Sequence, residues 1–476
     1  MDDRNALVSA ARAEFATVNL GDARLNKRLG VIAGALATRP DVGFPQAMPP
    51  HELQAFYQFV ESERIEFEAL LAPHRQATIE RMQTHSEVVV SHDTSEFRFT
   101  TKRQDLGRLR GNGELAKRGF LGHFALATGI DGTPLGVLGA WPWTRGFSKP
   151  TNTGKTGMQF DPYVENEHAR WARGVRQVHA AVPNPERIIH VMDSEADAYE
   201  LLAELVQNNH RFVIRQCQDR RVETQQSAPA TRGKMKALLS TEESVGTRPA
   251  RVSARRAVNG LKTQRRHLPR QARQALLSFS AVAVVVRRSS SAVAGLPETL
   301  RVHVVRVWEE HPPSGVEPLE WLLITTEPIS TPEQIQHVVD LYRRRWLIEE
   351  FFKTLKTGCA FEKRQLESFA TLATALAIFL PIAWALLQLR TLARVNPNAP
   401  ATTVLTSVQI EVLRRATGKM VPAEPTARDV LLAVARLGGH LKRNGEPGWQ
   451  ILGRGYEDLL MLEKGFRLAA GDVINH

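Results

Sequence analysis

Four side chains suited to metal and phosphate chemistry lie close together in the sequence: Tyr342, Arg345, Glu349 and Lys356. Their steps of three, four and seven residues place them on one face of an α-helix. One carboxylate among cations and an aromatic ring is a poor pattern for a buried core. It suits a metal-binding acid flanked by groups that hold a phosphate backbone. The spacing therefore predicts phosphate chemistry on this helix.

The predicted helix has clear signals at both ends. Thr331 is suited to the N-cap, Pro332 to the first helical position, and Gln334 completes a capping box. Gly358 fits the C-cap. We therefore expect one helix between these residues.

Two further acids follow short apolar runs. Residues 87–93 carry three consecutive valines before Asp93, and residues 187–193 carry two isoleucines and a valine before Asp193. Runs this short favour buried strands, and functional groups gather at strand ends in open sheets. Each Asp taken singly could equally be a helix cap or a turn residue. Together with Glu349 they predict a three-carboxylate site.

Three carboxylates would supply hard oxygen ligands. Such ligands suit Mg²⁺, and Mn²⁺ substitutes by the same chemistry. Two of these ions, about 3.5–4 Å apart, activate the attacking oxygen and stabilise the leaving oxygen during displacement at phosphorus. The sequence therefore predicts a two-metal site for phosphodiester chemistry.

The charge balance favours a polyanionic partner. The chain has 476 residues, 62 Lys and Arg against 50 acids, and a net charge of +12. Residues 219–288 hold sixteen basic and four acidic side chains, an excess of +12. A solvated basic loop region is the alternative interpretation of this segment. The length indicates two or three domains.

The cysteines and the apolar runs bear on the compartment. Cys217 and Cys359 form neither a disulfide framework nor a zinc ligand set, and no signal peptide opens the chain, which predicts a cytoplasmic protein. The long apolar run at residues 375–389 contains Pro381 and is shorter than the roughly twenty residues of a membrane span. We expect a buried helix there and no membrane partner.

These motifs together resemble the bacterial cut-and-paste DDE transposases of insertion-sequence family four. The matching features are Asp93, Asp193 and Glu349 in that order, the Asp-Ser-Glu-Ala-Asp run at residues 193–197 and the Tyr-Arg-Glu-Lys helix. The resemblance runs from Leu-Gly-Asp at residues 20–22 to Ala-Arg-Leu-Gly-Gly at residues 435–439. The four-residue helix signature is its most specific part.

The resemblance implies an α/β fold with a ribonuclease-H-like catalytic core, a β-rich insertion and helical N-terminal and C-terminal domains. The implied domains are residues 1–75 for binding transposon ends, residues 76–370 for catalysis with the insertion at about 217–325, and residues 371–476 for dimerisation. Periodicity predicts helices at residues 21–37, 52–60, 65–82, 199–208, 426–437 and 450–468. It predicts strands at residues 121–129, 135–141, 211–216, 279–288, 300–309 and 321–326, with a hairpin turn at residues 131–132.

The resemblance also implies roles for individual residues. Asp93 would bridge two metal ions, with Asp193 and Glu349 each holding one of them. Trp321 matches an aromatic on which a flipped base stacks, although a core tryptophan is the alternative. The residues that match phosphate-holding positions are Arg215, Tyr342, Arg345, Lys353 and Lys356, and those that match contacts to transposon ends are Arg24 and Arg28. Leu25 and Ser194 depart from family arginines, and we expect Asp197 to be structural.

The implied reaction begins when water nicks the transferred strand and its 3′-OH attacks the opposite strand to form a hairpin. A second water opens the hairpin, and the 3′-OH then attacks target DNA. The implied partners are double-stranded DNA (terminal inverted repeats and target) and a second copy in a synaptic homodimer. Two alternatives remain, a metal-dependent DNA nuclease and a catalytically silent DNA-binding inhibitor of transposition. The insertion and helix signature favour the transposase over the nuclease, and the intact acids and N-terminal module favour it over the inhibitor.

Overall fold

The computed structural model describes residues 6–99, 105–109, 118–145, 169–224, 231–252, 269–289, 292–293, 295–441, 447 and 449–469. The chain divides into two compact units. Unit 1 contains Met1–Glu165, Arg176–Pro183 and Trp346–His476, and unit 2 contains Asn166–Val175 and Asn184–Arg345.

Helices and strands are numbered in chain order over the described ranges. The helices are α1 (Ala6–Ala13), α2 (Ala23–Thr38), α3 (Phe44–Ala47), α4 (Pro50–Glu61), α5 (Phe67–Met82), α6 (Ala169–Ala181), α7 (Tyr199–Gln207), α8 (Met235–Ser240), α9 (Pro332–Arg344), α10 (Trp346–Lys353), α11 (Phe369–Val395), α12 (Ser407–Thr417), α13 (Ala427–Leu437) and α14 (Trp449–Ala469). The strands are β1 (Val88–Phe99), β2 (Gly107–Arg108), β3 (Arg118–Gly129), β4 (Pro134–Trp143), β5 (Ile188–Met192), β6 (Arg211–Arg215), β7 (Arg221–Thr224), β8 (Arg232–Lys234), β9 (Gly246–Val252), β10 (Arg273–Arg287), β11 (Thr299–Glu309) and β12 (Glu320–Thr325).

Unit 1 begins with helices whose ends follow local sequence signals. Asp22 caps α2 by accepting a hydrogen bond from the Arg24 N–H at 2.8 Å. Leu29, Ile32 and Leu36 form the buried stripe of this helix. The helices predicted at residues 21–37, 52–60 and 65–82 are confirmed as α2, α4 and α5, with ends shifted by a few residues.

In the sheet of unit 1, β3 pairs antiparallel with β1 and β4, and short β2 also pairs with β3. The predicted hairpin of β3 and β4 is confirmed. At its turn, Asp131 accepts a hydrogen bond from the Thr133 N–H at 2.9 Å. Gly132 has φ +93°, a conformation that disfavours residues with a Cβ.

Helix α11 runs through the core of unit 1. Its Phe369–Gln388 portion is long and apolar enough to cross a membrane, with a mean hydropathy of 2.1, but 89% of that window is buried inside the protein. The Trp384 indole N–H donates to the Pro134 carbonyl at 3.0 Å, which ties α11 to β4. The prediction of a buried helix is confirmed, although the helix is longer than the apolar run and continues through Pro381.

The C-terminal helices of unit 1 are α12, α13 and α14. Thr426 caps α13 in a reciprocal capping box with Asp429. Gly439, with φ +87°, follows the end of this helix. The predictions at residues 426–437 and 450–468 are confirmed as α13 and α14.

Unit 2 is built on a sheet with strand order β5-β6-β12-β11-β10-β7-β8, in which β9 also pairs with β10. β5 and β6 are parallel and are joined through α7. β12, β11, β10, β7 and β8 are linked to their neighbours by antiparallel pairing. The strands predicted at residues 279–288, 300–309 and 321–326 are confirmed as β10, β11 and β12.

The two faces of this sheet have different surroundings. On one face, Val284, Val302 and Ile324 pack with Leu202 and Leu205 of α7 in a buried core. Helix α9 packs against β6, β10 and β11. Alternation along each strand therefore separates side chains of this core from those of the opposite face.

Candidate active site and nucleic-acid contacts

Asp93 lies in the middle of strand β1, and its side chain is half-buried. β1 pairs with β3 along its whole length, and Asp93 stands opposite Phe124. The Thr94 N–H donates to Asp93 Oδ1 at 2.7 Å. The prediction that the strand ends at Asp93 is wrong, because pairing with β3 continues as far as Phe99.

The side of the sheet that carries Asp93 also meets the helix of Glu349. Directly opposite residues of paired strands share one face, so Phe124 marks the face of Asp93. The Phe124 ring lies 5.3 Å from the Phe352 ring and 6.3 Å from the Phe351 ring, measured between centroids. Both phenylalanines belong to α10, which also carries half-buried Glu349. Asp93 and the Glu349 helix therefore lie on the same side of the unit 1 sheet.

His92 lies on the opposite face of β1, as alternation predicts. Its buried ring stacks on the His123 ring, with the centroids 5.7 Å apart. Burial, with a smaller contribution from His179, lowers the pKa of His92 to about 3. His92 is therefore neutral at pH 7 and adds no charge beside Asp93.

The segment predicted as one helix is divided into three parts. The start is confirmed, since Thr331 and Gln334 form a capping box with Pro332 at the first position. α9 then ends at Arg344, α10 covers Trp346–Lys353, and Thr354–Gly358 is a π-helical turn. The prediction of a single helix capped by Gly358 is wrong. The Cys359 N–H donates to the Thr354 carbonyl at 2.8 Å, and this wider turn accommodates an additional residue.

The two lysines after Glu349 have different surroundings. Lys353 is exposed and donates to Glu350 at 2.9 Å. Lys356 Nζ donates to the Glu96 carbonyl of β1 at 2.6 Å and lies 5.2 Å from the Phe97 ring centroid. Burial lowers the pKa of Lys356, whereas nearby carboxylates, including that of Asp93, raise it. Lys356 therefore stands within electrostatic range of Asp93.

Asp193 follows β5 directly and caps a short 3₁₀ turn, Ser194–Ala196. It accepts a hydrogen bond from the Glu195 N–H at 2.8 Å. Burial raises the pKa of Asp193, and the Glu195 N–H together with Arg345 and Arg170 opposes that shift. The next helix, α7, starts only at Tyr199, as the sequence predicts.

Asp197 has the structural role that the sequence predicts. It is buried, and it accepts hydrogen bonds from the N–H groups of Cys217 at 2.6 Å and Gln218 at 2.8 Å. It also forms an ion pair with Arg220, whose Nη2 donates to the Asp197 carbonyl at 2.8 Å. Asp197 thus fastens the segment after β6 to the turn of Asp193.

Tyr342 and Arg345 form a buried pair in unit 2. The Arg345 guanidinium lies 5.8 Å from the Tyr342 ring centroid. Burial raises the pKa of Tyr342, which Arg345 and Arg215 lower and Asp193 raises further. Tyr342 therefore interacts electrostatically with Arg345, Arg215 and Asp193, and Arg345 is the arginine of this set that also acts on Asp193.

Trp321 lies on the sheet face opposite the unit 2 core. Leu322 and Ile324 of β12 belong to the buried core, so alternation turns half-buried Trp321 away from it. Arg215 of β6 pairs with Leu323 and thus shares the face of Trp321, two residues away along β12. Such diagonal neighbours stand about 7–8 Å apart. Trp321 therefore lies outside the buried cluster that packs on α7, beside buried Val307 of β11.

Arg24 and Arg28 are both exposed on α2. Leu25, which departs from the family pattern, packs partly buried against the unit 1 core. Ser194, the other departure, is half-buried in the 3₁₀ turn. α2 therefore presents two guanidinium groups on its solvent side.

Two charged groups near the candidate acids were missed by the sequence analysis. Arg170 is buried and pairs with Glu195 at 3.3 Å, beside Asp193. Arg390 of α11 donates to Glu350 at 2.6 Å, beside Glu349. Neither arginine belongs to a motif, so no local signal identifies it.

The chemistry of these donors fits divalent magnesium or manganese. Asp93, Asp193 and Glu349 are half-buried carboxylates, the hard oxygen ligands that these ions prefer. The raised pKa of Asp193 reflects a partly desolvated carboxyl group, whose charged form a cation would stabilise.

Two family models match separate parts of the chain. A transposase DNA-binding model matches residues 8–65, and a transposase DDE domain model matches residues 153–384. Asp193 and Glu349 lie inside the second match, Arg24 and Arg28 lie inside the first, and Asp93 lies between the two. These matches support assignment to the DDE transposases.

A solved structure described as "Cryo-EM structure of piggyBac transposase synaptic complex with hairpin DNA (SNHP)" is also similar over 99% of this chain and 80% of that chain. The identity is 9% and the TM-score is 0.33, which is too low to support an argument about fold or site.

Proposed function

We propose that this chain, which carries a transposase DNA-binding segment and a transposase DDE domain, is a cut-and-paste transposase of insertion-sequence family four. It would bind terminal inverted repeats, excise the element through a hairpin intermediate and join the freed 3′ ends to target DNA. Its working environment would be the bacterial cytoplasm, at the nucleoid.

The observation that carries the proposal is the cluster around Asp193 in unit 2. The partly desolvated Asp193 carboxylate interacts with Arg345 and Arg170, and buried Tyr342 interacts with Arg345 and Arg215. A carboxylate serves as a metal ligand, and guanidinium groups hold phosphate oxygens in a bidentate fork. A site that handles a phosphodiester needs both kinds of group together.

Three acids are proposed as the metal ligands: Asp93 between two ions, with Asp193 and Glu349 each on one ion. Bound Mg²⁺ or Mn²⁺ would supply activation of the attacking oxygen and stabilisation of the leaving oxygen. In unit 1, the shared side of Asp93 and the Glu349 helix supports this role for both acids.

The surrounding cations are proposed to hold the DNA strand. Arg345 and Arg215 would grip phosphates beside the scissile bond, with the Tyr342 ring supporting the Arg345 guanidinium. Lys353 and Lys356 would act as point charges on flexible side chains, which attract phosphate without requiring a fixed hydrogen-bond geometry. Their positions after Glu349 support phosphate contacts along one stretch of backbone.

Trp321 is proposed to stabilise the bent DNA of the hairpin step. A tight hairpin is relieved when one base leaves the stack, and an aromatic face can receive that base. The half-buried position of Trp321 on the side away from the core supports this role. Arg215, on the same face, would hold the adjoining phosphate.

The domain roles extend the same proposal. Residues 1–75 would recognise transposon ends through exposed Arg24 and Arg28, residues 76–370 would form a ribonuclease-H-like core with its insertion at about 217–325, and residues 371–476 would mediate a synaptic homodimer. The antiparallel set β4-β3-β1 and the parallel pair β5-β6 are strand sets that such a core contains.

The test uses DNA with the inverted repeats that flank this protein's own gene. Purified protein would be incubated with this DNA, a target plasmid and Mg²⁺. Variants Asp93→Asn, Asp193→Asn and Glu349→Gln would run beside Glu350→Gln, which alters the adjacent carboxylate. The readout is separation of nicked, hairpin and joined strands on denaturing gels.

A transposase yields all three products with the wild type and with Glu350→Gln, and none with the three acid variants. Cleavage without hairpin or joined product would instead identify a metal-dependent nuclease. Specific binding to the repeats with no cleavage would identify a silent DNA-binding inhibitor.

A further inference from the structure

A second basic surface lies on the sheet of unit 2. Strands β11, β10, β7 and β8 are consecutive neighbours in this sheet. Their core-facing side chains, such as Val222, Val284 and Val302, are buried. Alternation sends the intervening side chains to the opposite face. That face carries five exposed cations, Arg221, Arg232, Lys234, Arg287 and Arg301, which we call the basic platform.

The strand register brings these cations together. Arg221 of β7 pairs with Lys234 of β8, and Glu223 pairs with Arg232. Val285 of β10 pairs with both Glu223 and Arg301, on its two sides. The platform therefore follows from backbone pairing across four strands, with neighbouring strands about 4.8 Å apart.

The cations of the platform outnumber the carboxylates that pair with them. Among the described residues, Glu223 is the one acid that pairs with these cations, and it accepts hydrogen bonds of 3.0 Å from both Arg232 and Arg287. These two arginines lower the pKa of Glu223. Among the residues that the structure describes, neither Arg221 nor Arg301 has an ion-pair partner.

Arg221 and Lys234 place two like charges at directly paired positions of the platform. Like charges directly opposite each other on paired strands are destabilising. The structure nevertheless has this pair, and Lys234 Nζ also donates to the Asp219 carbonyl at 2.6 Å. A bound polyanion would relieve the repulsion between the two cations.

The side chains of the platform suit a DNA backbone better than a protein surface. Between its cations lie the small, half-buried side chains of Ala283 and Val285, so the described part of the platform itself has no large apolar anchor. Protein interfaces depend on buried aromatic and apolar anchors, whereas DNA backbone binding depends on cations and is insensitive to sequence.

We propose that the basic platform binds the sugar-phosphate backbone of double-stranded DNA, in addition to the contacts around the candidate active site. This inference rests on the proposed function for the presence of DNA. Two sources of duplex share the chemistry: the inner part of the transposon end and the target DNA. Contacts of this kind add affinity without sequence information.

The test compares two triple variants with the same change in charge. The platform variant is Arg221→Gln/Lys234→Gln/Arg301→Gln, and the control is Arg187→Gln/Arg415→Gln/Arg436→Gln, three exposed arginines elsewhere. Fluorescence anisotropy would measure binding of full-length protein to a transposon-end duplex and to an unrelated duplex over a series of salt concentrations. Each lost phosphate contact reduces the slope of log K against log salt by about 0.9.

We expect the platform variant to lose about 2–3 units of that slope and the control to keep the slope of the wild type. Loss on the transposon-end duplex alone assigns the platform to the end, and loss on the unrelated duplex alone assigns it to the target. Loss on both duplexes supports backbone contacts with either source of DNA. Equal slopes for the platform variant and the control on both duplexes would overturn the inference. The proposed function is tested separately, by the nicked, hairpin and joined strands on denaturing gels. Failure of the platform inference can therefore be distinguished from failure of the proposed function.

Discussion

Arg390 Nη1 donates a hydrogen bond of 2.6 Å to Oε2 of Glu350, the residue that follows Glu349 in α10. Glu350 also accepts from Lys353 at 2.9 Å, so its carboxylate is held by two cations. Glu349, the neighbouring glutamate on the same helix, is half-buried and is the candidate metal ligand. The two glutamates are therefore a matched pair for separating chemistry from stability.

Changing Glu349 to Gln should abolish all strand chemistry and leave the fold and end binding nearly intact. An amide keeps the size of the side chain but is a far weaker ligand for a divalent ion than a carboxylate. Gel assays of nicking and gel-shift assays of end binding check the two parts. A Glu349→Gln protein that still nicks DNA would remove Glu349 from the metal site.

Changing Glu350 to Gln should lower the stability of the protein and leave strand chemistry intact. Loss of the carboxylate leaves Arg390, which is largely buried, without this partner and should lower the free energy of unfolding by about 1–2 kcal/mol. Nicking should continue under conditions in which the variant is folded. Urea unfolding measures the stability change, and an unchanged midpoint would show that the Arg390 contact contributes nothing.

Changing Trp321 to Ala should slow hairpin formation and spare the first nick. The lost stacking of one base is worth about 1–3 kcal/mol, roughly 5- to 150-fold in the rate of that step. Leu322→Ala is the matched control, because Leu322 lies in the core and its loss should cost stability without separating the two steps. Equal slowing of nicking and hairpin formation by Trp321→Ala would exclude the base-stacking role.

Changing Arg345 to Lys should weaken end complexes and slow cleavage together. Lysine keeps the charge but lacks the planar fork that binds phosphate in bidentate fashion and stacks on the Tyr342 ring. Arg343→Lys is the control, since Arg343 is exposed and pairs with Asp340. Comparable activity for the two variants would exclude Arg345 from the phosphate contacts.

The stability of unit 1 should fall as the pH drops below about 6.5, the ordinary histidine pKa. Burial lowers the pKa of His74, whose Nδ1 contacts Glu14 and whose Nε2 accepts the Val137 N–H at 3.0 Å. A proton on Nε2 would turn this acceptor into a donor that faces the Val137 N–H, which is also a donor. Because the folded pKa lies below the unfolded one, the unfolded chain takes up the proton first, and acid favours unfolding.

His74→Gln tests this pH dependence, because Gln offers one donor and one acceptor but does not titrate. Denaturant unfolding would give the free energy of unfolding between pH 5 and 7. In the variant this free energy should change with pH less steeply than in the wild type, by up to about 1.4 kcal/mol per pH unit. Identical slopes for the two proteins would rule out His74 as the source.

The elements that the sequence predicted well are those with local signals. The capping boxes of Thr331 and Thr426 use residues three positions apart, so their geometry is contained in the sequence around them. The Asp131-Gly132 turn is likewise local. Each of these signals was sufficient to place the start of a helix or the turn of a hairpin.

The predictions were wrong where contacts with residues distant in sequence determine the bounds of a strand or helix. β1 continues past Asp93 because β3 pairs with it along its length, and the pattern at residues 87–93 contains no sign of that partner. The division of the helix at Arg345 and the π-helical turn near Gly358 were equally invisible to a periodicity argument. The three acids were predicted from the apolar runs before Asp93 and Asp193, the helical spacing around Glu349 and the family resemblance, whereas Arg170 and Arg390 depend on tertiary packing.

The most direct test of the central claim is Mn²⁺ binding measured by electron paramagnetic resonance, in the presence of a transposon-end duplex. The wild type and Glu350→Gln should each bind about two Mn²⁺ per chain. Asp93→Asn should bind the fewest ions, and Asp193→Asn and Glu349→Gln should each lose about one. Binding that is unchanged in all three acid variants would contradict a metal site built from Asp93, Asp193 and Glu349.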